Sequence, residues 1–196
     1  MEKVEINNKC LACNSEDINI ISFGDEKSFI CNNCFTITNQ INQNTDKLYN
    51  QNYYEINYIK IYSEQKEKSL KILNNLKEHY PKGSILDYGC GSGLFLSNAF
   101  ELGYVKNVGI DVSISAIEYA KKNNPSLELY NKIDDVGENK FKILTFIDSI
   151  GHIEKIESVL NNILLEYMES NCVVMIRTPR INNRYIGYVM CLNKIL

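Results

Sequence analysis

The sequence predicts an α/β chain: a doubly wound sheet of about five parallel strands in the order 3-2-1-4-5, with a small N-terminal ribbon built on four cysteines. Three observations predict it. Residues 85–93 read Ile-Leu-Asp-Tyr-Gly-Cys-Gly-Ser-Gly, an apolar strand end entering a glycine turn, and Leu94-Phe95-Leu96 opens a helix directly after it. From residue 63 onward, apolar runs of strand length alternate with segments of helical period, the pattern of a parallel sheet with crossover helices. Near the N-terminus, Cys10, Cys13, Cys31 and Cys34 form two Cys-x2-Cys pairs.

The elements follow in order. Ile18–Phe23 and Ser28–Ile30 can pair as a hairpin about Gly24-Asp25. Residues 63–80 read as a helix, with Leu70, Leu73, Leu76 and Tyr80 on one face and Glu64/Lys68 and Glu67/Lys71 at i,i+4 spacing. Pro81-Lys82-Gly83 ends it and leads into the first strand of the sheet, 84–88. The helix after the glycine turn runs to Leu102 and stops at Gly103, a suitable residue just past a helix end. A second strand lies at about 107–111, and Ser113 can cap a helix over 114–123, closed by Pro125. A third strand is expected at about 126–130, and 131–140 is too short and polar for a good crossover helix. The nearly all-apolar Lys142–Ile147 should be the central fourth strand. Ile156, Val159, Leu160, Ile163, Leu164 and Tyr167 define a helix face, and Cys172–Arg177 is the fifth strand, ended by Thr178-Pro179. Residues 181–196 are apolar enough to form a helix. The expected division is a ribbon over 1–45, a tyrosine-rich helical connector over 46–80, and the sheet domain over 81–196.

Each Cys-x2-Cys turn can point two thiolates at one ion, and two such turns complete a tetrahedral four-thiolate zinc site. Two disulfides or a redox dithiol are the alternatives, but the N-terminus Met-Glu-Lys-Val-Glu-Ile-Asn-Asn carries no export signal that would place the chain in an oxidising compartment. A closed four-thiolate site leaves no open position for catalysis, so its role would be to fold a module too small to fold alone. Of the other cysteines, Cys90 fits the glycine turn as a small residue and Cys172 belongs to the core; Cys191 has no evident role.

The residue before the glycine turn bears on the ligand. A dinucleotide pyrophosphate would sit at the helix N-terminus, where free N–H groups favour anions. Asp87 at the mouth of the turn would repel it. A ligand with an ammonium and a sulfonium in place of a phosphate, such as S-adenosylmethionine, suits an acid there. Asp111, 20 residues beyond Gly91, adds a second acid at the spacing of a ribose-binding carboxylate. A dinucleotide-binding unit, or a glycine turn with no ligand, remains as the alternative.

ILDYGCGSG with Val-Gly-Ile-Asp-Val-Ser at 108–113 resembles motif I and the acidic motif of class I S-adenosylmethionine-dependent methyltransferases, which have a Rossmann-like sheet. The resemblance implies that Asp87, Tyr88, Gly89, Gly91 and Gly93 hold the methionine end, that Asp111 accepts hydrogen bonds from the ribose, and that Val112 and Asp148 also line the cofactor site. The four-cysteine module followed by the tyrosines of 49–62 is similar to bacterial methyltransferases with an N-terminal zinc-binding domain, a group that includes C-methyltransferases of nucleotide-linked sugars. That resemblance implies a small-molecule acceptor and places Tyr53 and Tyr54 at the cleft, with Tyr54 a catalytic candidate; packing between the two parts of the chain is the other reading of these tyrosines. His152 is the candidate imidazole base, or merely a helix-start residue packed beside the cofactor.

The chain departs from the family in two ways. Lys142 and Gly151 stand where relatives usually carry acids. In the family the sheet also continues past strand five to an antiparallel strand, so this chain is expected to be short at its C-terminus, with strand five an uncovered edge that invites a second copy or a partner chain. A truncated or catalytically impaired protein that only binds cofactor or a partner is the competing function. Net charge is −3 with the charges interspersed, which argues against nucleic-acid binding, and no stretch approaches a membrane span. A cytoplasmic enzyme is expected.

Overall fold

The computed structural model describes residues 9–10, 12–23, 26–39, 51–153, 156–179 and 185–191. Strands β1 (Ile18–Phe23), β2 (Glu26–Cys31) and β3 (Ile37–Asn39) form an antiparallel three-stranded sheet in that order. The expected hairpin is its first half; β3 adds a third strand by pairing Ser28–Ile30 with Ile37–Asn39.

Helix α1 spans Gln51–His79, twelve residues longer at its start than the apolar periodicity indicated. Leu73 and Leu76 are sealed in the core. Glu67 and Lys71 pair at 2.7 Å, and Glu64 pairs with Lys68. The expected boundary failed because the segment before Tyr62 carries no regular apolar stripe, and a helix without one gives no periodic signal.

The second sheet alternates with helices: β4 (Ser84–Tyr88), α2 (Leu94–Glu101), β5 (Lys106–Ile110), α3 (Ile114–Asn123), β6 (Glu128–Tyr130), β7 (Phe141–Ile147), α4 (Ile156–Glu166), β8 (Met168–Pro179) and β9 (Tyr185–Cys191). Short 3-10 turns occupy Ile133–Val136 and Ile150–His152. The strand order is β6-β5-β4-β7-β8-β9, parallel from β6 to β8, so the five parallel strands have the predicted order. Ser113 caps α3 by accepting the Ala116 N–H at 3.2 Å. The fully buried side chains Ile85, Leu86, Val108, Ile110, Ile143, Leu144 and Phe146 stack along the central strands β4, β5 and β7.

The C-terminal expectation is overturned. Residues 185–191 form a strand, not a helix, and pair antiparallel with β8 from Val173↔Cys191 to Pro179↔Tyr185. Strand five is therefore covered, and the argument for a partner chain along that edge falls with it. Tyr185, Ile186, Tyr188 and Val189 of Tyr-Ile-Gly-Tyr-Val-Met-Cys favour a strand over a helix, and an apolar run of this length does not distinguish the two by period alone.

Candidate functional site

The candidate site lies at the C-terminal ends of β4, β5, β7 and β8, where doubly wound sheets leave a crevice for ligands. The glycine turn after β4 is stitched to its neighbours. The N–H groups of Gly89 and Cys90 both donate to the Ile110 carbonyl, at 2.7 and 2.9 Å. Gly89 has φ +85°, and a Cβ there would stand 2.2 Å from Ser149 Cβ. Ser149, on the loop after β7, also donates its hydroxyl to the Tyr88 carbonyl. Gly91 has φ +51° and faces open space, with no atom within 4 Å of the position a Cβ would take. Cys90 is buried, and its sulfur fills the space that a side chain on Gly109 would need.

Asp111 joins the turn from the end of β5. Its Oδ2 accepts the Gly91 N–H at 2.8 Å and its Oδ1 accepts the Ser113 N–H at 2.9 Å. Asn131 donates to the Asp111 carbonyl at 3.0 Å. A carboxylate has about four lone-pair positions, so acceptor capacity remains after the two backbone bonds. Burial pushes the Asp111 carboxyl up, against the two backbone donors that lower it. Val112 beside it is 66% exposed, an apolar side chain presented to solvent at the rim.

Asp87 is 1% exposed. Its Oδ1 accepts the Thr145 hydroxyl at 2.6 Å. Burial, reinforced by the Asp111 charge and opposed by the Thr145 hydrogen bond, pushes its carboxyl up to about 7. Tyr88 is half-buried, its ring 5.8 Å from that of Phe146. Asp148, with φ 57° at the end of β7, donates its N–H to the Arg177 carbonyl at 2.8 Å and pairs through Oδ2 with Arg177 Nη1 at 3.3 Å. Burial raises the Asp148 carboxyl while Arg177 and Lys68 act to lower it. Its Oδ1 is buried without a hydrogen-bond partner.

The structure thus places Asp87, Tyr88, Gly89, Gly91, Gly93, Asp111, Val112 and Asp148 around one turn and its neighbouring strand ends. His152 is exposed on the 3-10 turn after β7. Tyr53, Tyr54 and Tyr58 fall within α1, but their side chains lie outside the described residues. Thr145, Ser149, Asn131 and Arg177 escaped the sequence reading. A polar residue inside an apolar strand run was the available signal for Thr145 and Arg177.

The four N-terminal cysteines converge. Cys10 and Cys34 sulfurs lie 3.5 Å apart and those of Cys13 and Cys31 3.6 Å, and all four lie within 4.8 Å of one another. A disulfide holds its sulfurs at about 2.05 Å, whereas four thiolates at about 2.3 Å from one zinc stand roughly 3.8 Å apart. Hydrogen bonding with Thr36 lowers the Cys34 thiol to about 6, whereas the Cys13 thiol beside it is pushed up to about 11. The donor set fits zinc. The acids Asp87 and Asp111 beside the turn fit a cationic adenosyl ligand better than a pyrophosphate, and the open backbone at Gly91 and the exposed Val112 leave room for an adenosyl group.

A family model described as a methyltransferase domain matches residues 62–188. The mitochondrial ubiquinone biosynthesis O-methyltransferase of Saccharomyces cerevisiae is 33% identical over 107 residues, covering 50% of this chain and 34% of that protein. The ribosomal protein L11 methyltransferase of a Janthinobacterium species is 36% identical over 90 residues, covering 45% of this chain and 26% of that protein. The chain thus spans about a third or less of these relatives' lengths. Among solved structures, DesVI of Streptomyces venezuelae shares the fold, with a TM-score of 0.52 and 18% identity over 71% of this chain and 68% of that one.

Proposed function

Because the chain belongs to the methyltransferase-domain family, we propose that it is an S-adenosylmethionine-dependent methyltransferase acting on a small-molecule acceptor. The observation that carries this reading is the clamp between Asp111 and Gly91, set beside the buried acid Asp87 and a turn whose outer face is open.

S-adenosylmethionine, when bound, supplies a sulfonium-activated methyl group. The chain's own residues then have mainly to align and to exclude water. Asp111 offers its remaining acceptor positions to the ribose hydroxyls. Val112 offers an apolar face to the adenine. Asp87, sealed behind the turn, supplies negative potential, and the backbone of the glycine turn holds the methionine end together with Tyr88. Asp148 completes the acidic wall at the end of β7. A base is needed only where the acceptor must lose a proton, and His152 and Tyr54 are the candidates.

The four-cysteine segment is read as a zinc ribbon over 1–45 whose metal is structural, joined by the helical connector 46–80 to the sheet domain from residue 81. Nucleotide-linked sugars are the acceptors to assay first. Methyl transfer from labelled S-adenosylmethionine across a panel of nucleotide sugars, quinone precursors and peptides tests the reading. Product on a small molecule supports it. Labelling of peptide alone contradicts the acceptor class.

A further inference from the structure

We propose that Thr145 is a positioning residue for the cofactor site: its hydroxyl, donating to Asp87, sets the pH range over which Asp87 presents a negative charge to a cationic cofactor. The inference rests on the S-adenosylmethionine reading above.

Thr145 lies within Phe-Lys-Ile-Leu-Thr-Phe-Ile, with Leu144 and Phe146 on either side, and is 0% exposed. A buried hydroxyl is unfavourable unless it is hydrogen-bonded. Here the parallel register sets Asp87 opposite Thr145, and the hydroxyl reaches Asp87 Oδ1 at 2.6 Å, the length of a charge-assisted O–H···O bond. Donation to the carboxylate favours its ionised form.

Burial and one neighbouring charge act against ionisation of Asp87. Asp111, from the end of β5, adds a like charge, whereas Cys90, from the glycine turn, is a buried thiol pushed well up by burial and so adds none. Asp148 stands beyond the end of β7 with its charge directed to Arg177. Burial and the Asp111 charge push the Asp87 carboxyl up to about 7 even with Thr145 in place. A cation bound at the turn favours the carboxylate. Cofactor affinity therefore rises as pH rises through the Asp87 midpoint and levels off above it.

The test reads Asp87 twice in the full chain. Carboxyl-carbon NMR follows its titration without ligand, and calorimetry follows S-adenosylmethionine affinity from below to above that midpoint, for wild type, Thr145→Val, Thr145→Ser and Asp87→Asn. Thr145→Val should raise the Asp87 midpoint by about one to two pH units, the worth of a hydrogen bond to a charged group. It should weaken binding roughly tenfold at neutral pH and converge on wild type at alkaline pH. Thr145→Ser should restore the wild-type profile, and Asp87→Asn should flatten it. An unchanged midpoint in a folded Thr145→Val protein overturns the inference. A raised midpoint in a protein that binds no S-adenosylmethionine at any pH overturns the cofactor reading, and with it the role given to Thr145.

Discussion

Ser149 and Gly89 compete for one volume: the Ser149 Cβ stands 2.2 Å from where a Cβ on Gly89 would lie. The loop after β7 is thereby pressed onto the turn after β4, and the Ser149 hydroxyl closes the contact on the Tyr88 carbonyl. Two strand ends that meet only through the fold become one wall of the crevice.

Gly89→Ala and Gly91→Ala should therefore fail differently. At Gly89 left-handed backbone and a steric clash combine, and the expected loss is about 2–4 kcal/mol of stability. At Gly91 no atom stands within 4 Å, so Ala costs only the backbone strain of ~1–2 kcal/mol while placing a methyl group where the cofactor approaches. Denaturant melts should rank Gly89→Ala below Gly91→Ala, and calorimetry should show Gly91→Ala folded but weakened in cofactor binding. Equal stability of the two variants contradicts the packing account.

Asp111→Ala removes the acceptor of the Gly91 and Ser113 N–H groups as well as the ribose contact. Affinity for S-adenosylhomocysteine should fall by ~1.5–3 kcal/mol, the scale of hydrogen bonds to a charged group. Binding equal to wild type would remove Asp111 from the site.

The glycine turn, Asp111 and the four cysteines were legible because their chemistry is carried by local spacing. Asp87 was legible as an acid, but not as a buried one, because Thr145 is 58 residues away and meets it only across paired strands. Arg177 is likewise anonymous within Cys172–Arg177 until β7 brings Asp148 beside it. Strand β9 was misread as a helix because Tyr185–Cys191 is an apolar run without a decisive period. The first turns of α1 were missed because the periodic leucines begin only at Leu70.

Metal content tests the ribbon. Protein expressed with ample metal should carry about one zinc per chain. Cys13→Ser should lose it and unfold the ribbon while sparing the β4–β9 sheet, because metal and local fold are coupled. Elemental analysis that finds no zinc while the four thiols are free contradicts the site.

Stability should depend on Asp87 with a definite sign. Its folded carboxyl is raised from 3.8 to about 7, so the folded state holds a proton that the unfolded state releases. The contribution is full below pH 3.8 and is lost as pH rises to about 7, a change on the order of 4 kcal/mol. Asp87→Asn should remove that slope. Denaturation midpoints measured across this window check it, and parallel slopes for the two proteins count against the buried charge.

The most direct measurement is a calorimetric titration of the wild-type chain with S-adenosylmethionine, S-adenosylhomocysteine and NADH. The account predicts about one adenosyl ligand bound per chain and no heat from NADH. Binding of NADH in preference, or no binding of either adenosyl ligand by folded, zinc-loaded protein, would contradict it.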